Sequence, residues 1–131
     1  MTNMTNILFI CLENACRSQM AQGFCNVLAD DVEAESAGTR PSDAVDDTAV
    51  QVMAEAGVDI SGQRPKQITM EMNDRFDVIV TMGCIDGCPV TPGEKTLTWD
   101  IEDPRGKPVA VYRRVRDDIR RHVEQLLNEL V

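Results

Sequence analysis

The feature of this sequence that most constrains its fold is a short buried strand that leads directly into a polar loop and then a helix. Residues 7–10 form an uninterrupted apolar run, which is typical of a strand buried on both faces of a parallel sheet. From Arg17 to Leu28, apolar residues recur at helical spacing. The loop between them, "CLENAC", begins at Cys11. Strand, loop and helix in this order indicate the first unit of a parallel α/β fold.

Further strands and helices alternate along the rest of the chain. Each is predicted from apolar periodicity and from the capping or turn residues beside it. They are, in chain order, a strand at 32–36, a helix from Asp46 or Asp47 to Gly57, strands at 77–82 and 95–101, and a terminal helix at 111–130. We therefore predict an α/β protein with a parallel sheet, folded as a single domain over residues 1–131.

Charge, cysteine content and hydropathy exclude several classes of function. The net charge of −9, from 13 basic and 22 acidic residues, disfavours nucleic acid and anionic membranes as partners. No apolar run reaches the ~18 residues that a membrane span needs, and residues 1–6 lack the layout of a signal peptide. We therefore expect a cytoplasmic protein whose five cysteines serve chemistry rather than a disulfide framework.

The loop after the first strand is predicted to bind an oxyanion. A loop that feeds a helix N-terminus points several backbone N–H groups into one concavity, where the helix dipole adds positive potential. Arg17 adds a planar donor fork, and Ser18 can donate its hydroxyl to the sulfur of Cys11. The same potential favours a nucleophilic thiolate at Cys11. The oxyanion-binding residues are predicted to be Leu12, Glu13, Asn14, Ala15, Cys16 and Arg17. Among them, Asn14 tolerates the left-handed backbone that such a bend needs. The simpler alternative is an ordinary strand–helix turn.

The quoted loop, together with "SAGTRPSD", "DVIVTMGC" and "WDIEDPRGK", resembles the low-molecular-weight tyrosine phosphatases and the arsenate reductases that share their fold. The resemblance extends over nearly the whole chain. It implies a four-stranded parallel sheet flanked by helices, a flavodoxin-like three-layer sandwich. It also implies that Asp103, before Pro104, is the general acid that protonates the leaving oxygen. Without the resemblance, this Asp–Pro pair would be interpreted as a turn initiator.

Cys84 and Cys88 decide between the two activities. A phosphatase needs no further thiols, because water completes its reaction. Reducing arsenate requires two electrons, which Cys11, Cys84 and Cys88 can supply as a three-cysteine disulfide relay. Thioredoxin-coupled arsenate reductases have a similar resolving pair. If this segment is helical, the two cysteines lie one turn apart, ~6 Å between Cα atoms, within disulfide range.

The residues after Pro104 point the same way. Phosphatases of this fold usually place aromatic residues there, whereas this chain has Arg105 and Gly106. A small inorganic oxyanion suits such a pocket better than phosphotyrosine. We therefore predict an arsenate reductase regenerated by thioredoxin or a similar thiol reductant, with no cofactor. The alternatives are a low-molecular-weight protein tyrosine phosphatase, which uses a cysteinyl-phosphate, and a non-catalytic oxyanion sensor.

The remaining candidate residues receive structural roles. Cys25 is expected in the core, and Cys16 to fill space in the loop. Met70 and Met72 are expected in the core or at its rim. Zinc would need ligands beyond Cys84 and Cys88, and His122 is the single histidine, so no metal is predicted. Related reductases bind potassium near this loop. The corresponding positions here include Asn14, Gln22, Ser36 and Lys66, and the ammonium of Lys66 could replace the cation. The carboxylate of Glu13 is expected to face solvent.

Overall fold

The fold is an α/β sandwich whose strands and helices alternate along the chain. The computed structural model describes residues 4–82 and 96–130. The elements within these residues are β1 (Thr5–Cys11), α1 (Arg17–Leu28), β2 (Val32–Gly38), α2 (Asp47–Glu55), α3 (Met72–Arg75), β3 (Val78–Met82), β4 (Thr96–Trp99) and α4 (Val109–Glu129).

The four strands form one parallel sheet in the order β2-β1-β3-β4, which confirms the predicted sheet. The chain passes from β1 to β2 on one side and then crosses to β3 on the other side of β1. Such a reversal opens a crevice at the carboxyl ends of the central strands, where α/β proteins bind ligands. Cys11, the last residue of β1, lies beside Gly38, the last residue of β2. The predicted loop therefore begins at this crevice.

The two faces of β1 belong to different hydrophobic clusters. Ile7 and Phe9 point to the larger cluster, which α1, α2 and α4 cover. Leu8 and Ile10 point to a smaller cluster built with residues of the 68–76 segment, which includes α3. The buried strand expected from the continuous apolar run is therefore confirmed.

The last helix, α4, closes the larger cluster. Val115, Ile119, Val123 and Leu126 recur at helical spacing and are buried, while the intervening positions are largely charged. Within residues 4–82 and 96–130, no helix is both long enough and apolar enough to cross a membrane.

The predicted limits of α2 are confirmed by its capping residues. Asp46 is the N-cap, and its Oδ1 accepts a hydrogen bond of 2.9 Å from the Thr48 N–H. Beyond the helix, Gly57 has a φ of +81°, the left-handed conformation that favours glycine.

The sequence predictions differ from the structure around β4 and α3. Strand β4 ends at Trp99, two residues before the predicted end at 101, and Leu97 is 39% exposed on this edge strand of the sheet. Ile101 is buried but lies beyond the strand. The four-residue helix α3 was not predicted, because so short a segment carries little periodicity. Both Met70 and Met72 were expected in the core or at its rim, but Met70 is 68% exposed while Met72 is buried.

Gly38 determines how closely β2 approaches the loop after β1. A Cβ at position 38 would lie 2.8 Å from the Leu12 carbonyl oxygen and 2.9 Å from the Asn14 amide nitrogen. Both are backbone atoms that cannot rotate away. Glycine is therefore required here by close approach of two backbones.

We expect Gly38→Ala to lower the free energy of unfolding by ~1–3 kcal/mol, because the loop must shift to make room for the methyl group. Urea denaturation followed by circular dichroism measures the change. Gly62→Ala is the matched control, since a Cβ there meets nothing within 4 Å. Equal stability of the two variants would contradict the proposed constraint.

Candidate active site

The loop at residues 12–16 is held by hydrogen bonds to its carbonyl groups. The Leu12, Glu13 and Ala15 oxygens accept from backbone N–H groups of residues 40, 42 and 46, at 2.8–2.9 Å. The Asn14 oxygen accepts from Gln19 Nε2 at 2.9 Å. In a trans peptide the following N–H points the opposite way. The N–H groups of Glu13, Ala15 and Cys16 are thereby turned away from these partners. All three residues line a shallow pocket.

The pocket lies where the loop, the N-terminus of α1 and the β4–α4 connection meet. Among the described residues, no side chain caps α1, and its first turn contains no acidic residue. The helix dipole therefore leaves positive potential at this end. The lining consists of Cys11, Leu12, Glu13, Ala15, Cys16, Arg17, Asp103 and Arg105. The structure thus brings together the predicted nucleophile, the predicted oxyanion loop and the predicted acid.

A chain of hydrogen bonds leads from Lys66 to the sulfur of Cys11. The Lys66 backbone N–H donates to Asn14 Oδ1 at 2.9 Å, and Asn14 Nδ2 donates to Ser18 Oγ at 2.7 Å. Ser18 Oγ lies 2.9 Å from Cys11 Sγ. Because the hydroxyl oxygen already accepts from Asn14, its hydrogen is available for the sulfur. Asn14 has a φ of +52°, and the expected left-handed residue in this bend is therefore confirmed.

Arg17 is buried and its guanidinium spans the back of the pocket. One terminal nitrogen, Nη1, donates to the Ile101 carbonyl at 3.1 Å. The other, Nη2, lies 3.7 Å from Asp103 Oδ2. Asp103 itself is half-exposed at the rim, where its Oδ1 accepts a hydrogen bond of 3.1 Å from the Arg105 N–H. A cation and a carboxylate therefore lie on the same side of the pocket.

Cys16 and Cys25 are poor nucleophiles, because their thiols stay protonated. Burial raises the pKa of the Cys16 thiol well above its usual range, and the charges of Asp46, Cys11 and Asp103 raise it further. Burial likewise raises the pKa of Cys25 to about 12. Cys25 is fully buried, which confirms its expected place in the core. Cys84 and Cys88 lie outside the described residues.

Glu13 does not simply face solvent, contrary to expectation. Its carboxylate forms an ion pair with Arg105 at the pocket rim and accepts a hydrogen bond of 3.2 Å from Ser42 Oγ. The sequence prediction treated Arg105 only as the replacement for an aromatic residue. The sequence signal that could have identified Arg105 as a site residue is its position two residues after Asp103. The partners of its side chain, however, come from distant parts of the chain.

The positions compared with a potassium site are occupied by protein contacts. The Lys66 ammonium forms an ion pair with Glu35, and Ser36 Oγ donates to Gln22 Oε1 at 2.5 Å. In the part of the chain that the structure describes, no cluster of three or more His, Cys, Asp or Glu residues could hold a metal ion. His122 packs on Trp99 with ring centroids 5.1 Å apart, in agreement with a structural role.

Two other cavities, of about 260 and 470 Å³, are larger than the pocket at Cys11. One lies beside β4 and α4, and the other includes residues 28–32 at the opposite end of β1. Neither is lined by a predicted site residue. Cavity volume does not identify the functional site here, because a tetrahedral oxyanion needs only a small site lined by hydrogen-bond donors.

The pocket and the 2-1-3-4 sheet are typical of a phosphatase-type oxyanion site on an α/β fold. Residues 6–131 match the low molecular weight phosphotyrosine protein phosphatase family, and the chain belongs to that family.

Several similar proteins are arsenate reductases by name. The chain is 40% identical over 129 residues to the arsenate reductase of Staphylococcus aureus strain Newman, covering 95% of this chain and 96% of that protein. It is 37% identical over 134 residues to the glutaredoxin arsenate reductase of Synechocystis sp., covering 97% and 99%. A solved structure of an arsenate reductase in the phosphate binding state superposes with a TM-score of 0.83 at 35% identity, covering 98% of this chain and 100% of that one.

The hydrogen bond from Ser18 to Cys11 yields a prediction about thiol reactivity. Alkylation proceeds through the thiolate form, and removing a hydrogen bond that a thiolate accepts costs about 1.5 kcal/mol or more. We therefore expect Ser18→Ala to slow alkylation of Cys11 by iodoacetamide at pH 7 about tenfold. Mass mapping of the labelled cysteines gives the rate, and Cys16 and Cys25 should stay unlabelled. Ser61→Ala, at an exposed serine in a turn with Asp59, is the control. An unchanged rate at Cys11 would contradict the prediction.

Proposed function

We propose that this protein reduces arsenate to arsenite. The observation that carries the proposal is that Cys11 lines one small pocket with residues of the loop, Arg17 and Asp103, and that its Sγ lies 2.9 Å from Ser18 Oγ. Relatives named arsenate reductases, at 37% and 40% identity, support it further. In this proposal the loop N–H groups and Arg17 bind the oxyanion, and Cys11 is the nucleophile.

The first step is thiolate attack on arsenic. The Cys11 sulfur forms an S–As bond while one As–O bond breaks, and that oxygen leaves as water with a proton from Asp103. Arsenic remains pentavalent. The Ser18 hydroxyl stabilises the thiolate before the attack and when the sulfur departs later. This step is shared with phosphate ester cleavage, since both substrates are tetrahedral oxyanions with poor leaving groups.

The second and third steps transfer two electrons. In the proposed relay the Cys84 thiolate attacks Cys11 Sγ, and the electron pair of the S–As bond goes to arsenic, releasing arsenite. Cys88 then attacks Cys84, which frees Cys11 as a thiolate and leaves a Cys84–Cys88 disulfide. The support is the sequence: Cys84 comes two residues after Met82, the last residue of β3, and β3 runs parallel to β1.

A dithiol or glutathione-linked reductant must then reduce the Cys84–Cys88 disulfide. We propose thioredoxin or a similar protein as this donor. The Synechocystis relative is named for glutaredoxin, so both donors belong in the test. A net charge of −9 favours a donor whose docking surface is neutral or basic.

Protein tyrosine phosphatase activity is the second candidate, and the family match favours it. Against it, the residues that follow Pro104 are Arg105 and Gly106 rather than aromatics, and Arg105 forms an ion pair at the rim. We propose that aryl phosphate hydrolysis is a weak side activity of the first step.

The relay predicts that Cys88→Ser limits each enzyme molecule to about one arsenite, because the Cys11–Cys84 disulfide cannot pass outward. Arsenite release is measured with thioredoxin and with glutaredoxin in parallel, and the paired cysteines are mapped by mass spectrometry. Hydrolysis of 4-nitrophenyl phosphate should survive, since it needs no resolving thiol.

Cys25→Ala serves as the control for loss of a thiol outside the relay. It should sustain repeated turnover, although burial makes some loss of stability expected. Repeated turnover by Cys88→Ser with either donor would rule out the relay. Hydrolysis of aryl phosphate by the wild type without any arsenite release would instead favour the phosphatase.

A further inference from the structure

Three segments meet at the rim of the pocket, and Arg105 contacts all of them. They are the loop at residues 12–16, the connection from β2 to α2, and the connection from β4 to α4, which we call the acid loop. The Arg105 guanidinium pairs with Glu13 of the first segment. It also donates to Ser42 Oγ at 3.3 Å and lies 3.7 Å from Asp46 Oδ2, both in the second. Its backbone belongs to the acid loop.

The partners of Arg105 are themselves fixed. Asp46 Oδ1 accepts from the Thr48 N–H at the start of α2, and Oδ2 accepts from Tyr112 Oη at 2.6 Å. Burial and this hydrogen bond raise the pKa of Tyr112, so its hydroxyl remains a donor. Glu13 is held through Ser42 by two hydrogen bonds, one to its carbonyl and one to its carboxylate. The guanidinium of Arg105 is therefore anchored to ordered groups.

This anchoring leaves Arg105 poorly suited to bind substrate directly. Two carboxylates, from Glu13 and Asp46, already compensate its single charge. Arg17, in contrast, is buried at the pocket and has one carboxylate 3.7 Å away. The two arginines therefore have different tasks: Arg17 faces the anion, and Arg105 joins the surrounding segments.

Asp103 depends on Arg105 for its orientation. Its side chain is 51% exposed, so packing does little to fix its rotamer. Its Oδ1 accepts the Arg105 backbone N–H at 3.1 Å, while Oδ2 faces Arg17 at 3.7 Å. An anchored Arg105 thus holds one carboxylate oxygen and turns the other toward the pocket. General acids require such placement, because a displacement of about 1 Å can cost ~100-fold in rate.

We propose that Arg105 is a positioning residue that fixes Asp103 for proton donation by anchoring the acid loop to Glu13, Ser42 and Asp46. The inference rests on the proposed role of Asp103 as general acid. Arg105 makes no bond to the substrate in this scheme. Removing its side chain should therefore slow the protonated departure of the leaving group without weakening anion binding.

The experiment compares Arg105→Gln, Asp103→Asn and the double variant in the full-length protein. The rate of the first step is followed as the burst of phenol or 4-nitrophenol released from phenyl phosphate or 4-nitrophenyl phosphate. Arsenite release is measured separately. General acid catalysis contributes about 100-fold or more, and Arg105 should account for about tenfold of it. The loss should be larger for phenyl phosphate, whose leaving group needs the proton more. The dissociation constant of either ester, taken from the concentration dependence of the burst rate, and inhibition by inorganic phosphate should change less than about twofold.

The double variant gives the decisive comparison. In the Asp103→Asn background, adding Arg105→Gln should change the burst rate less than about twofold, because the acid it positions is gone. If the losses of the two single variants multiply in the double variant, the proposal is overturned and Arg105 is an anion ligand. The same conclusion follows if Arg105→Gln raises the dissociation constant of the esters with an unchanged burst rate. Equal losses for both esters would overturn it in favour of a structural role.

Two further variants complete the test. Arg105→Lys keeps the charge but loses the fork that reaches several partners, so it should restore the rate only in part. Arg113→Gln, which removes an exposed ion pair with Glu55 away from the pocket, should match the wild type. Ester hydrolysis with the predicted pattern but no arsenite release would reject the proposed reductase while supporting Arg105 positioning. A wild type that processes neither substrate would reject both.

Discussion

The geometry of the site depends on the hydrogen bonds that the amide side chain of Asn14 makes at both of its ends. Its oxygen accepts the Lys66 N–H and its nitrogen donates to Ser18, so both ends are fixed by groups from different parts of the chain. The donor end orients the Ser18 hydroxyl toward Cys11, and the φ of +52° bends the loop around the pocket. An aspartate could not donate to Ser18, and a β-branched residue would resist this φ. One residue thus sets both the loop's shape and the polarity at the sulfur.

A protein of net charge −9 repels an anionic substrate, and the charges around the pocket reduce this repulsion. The pocket residues Glu13 and Asp103 are each paired with an arginine, so their charge does not oppose an incoming anion at full strength. Farther away, the acidic stretch from Asp30 to Asp59 is partly ion-paired as well. Glu55 has its pKa lowered by a hydrogen bond from Arg113. Backbone N–H groups and the helix dipole then supply the positive potential at short range.

Local sequence features were enough to predict the strand–loop–helix unit. The apolar run before Cys11, the left-handed residue and the Asp46 cap each act over a few neighbouring residues, so pattern and chemistry identify them. The resemblance added Asp103. The four strands, predicted from apolar runs and periodicity as well, are confirmed. The roles of Cys84 and Cys88 remain predictions, since both lie outside the described residues. The contacts of Arg105 were missed because Glu13 and Asp46 come close to it only in the folded sheet.

The rim made by Glu13 and Arg105 also bears on which substrates fit. An aryl phosphate needs an apolar wall beside the transferring group, because its ring must leave water as it binds. Here the corresponding wall carries a guanidinium and a carboxylate, and pushing a ring against them would desolvate both charges without pairing them elsewhere. A small hydrated oxyanion carries no such ring and fits behind the rim. Arg105, which anchors the acid loop, therefore also disfavours bulky esters. In the proposed function, positioning of the acid and selection of the substrate follow from the same ion pair.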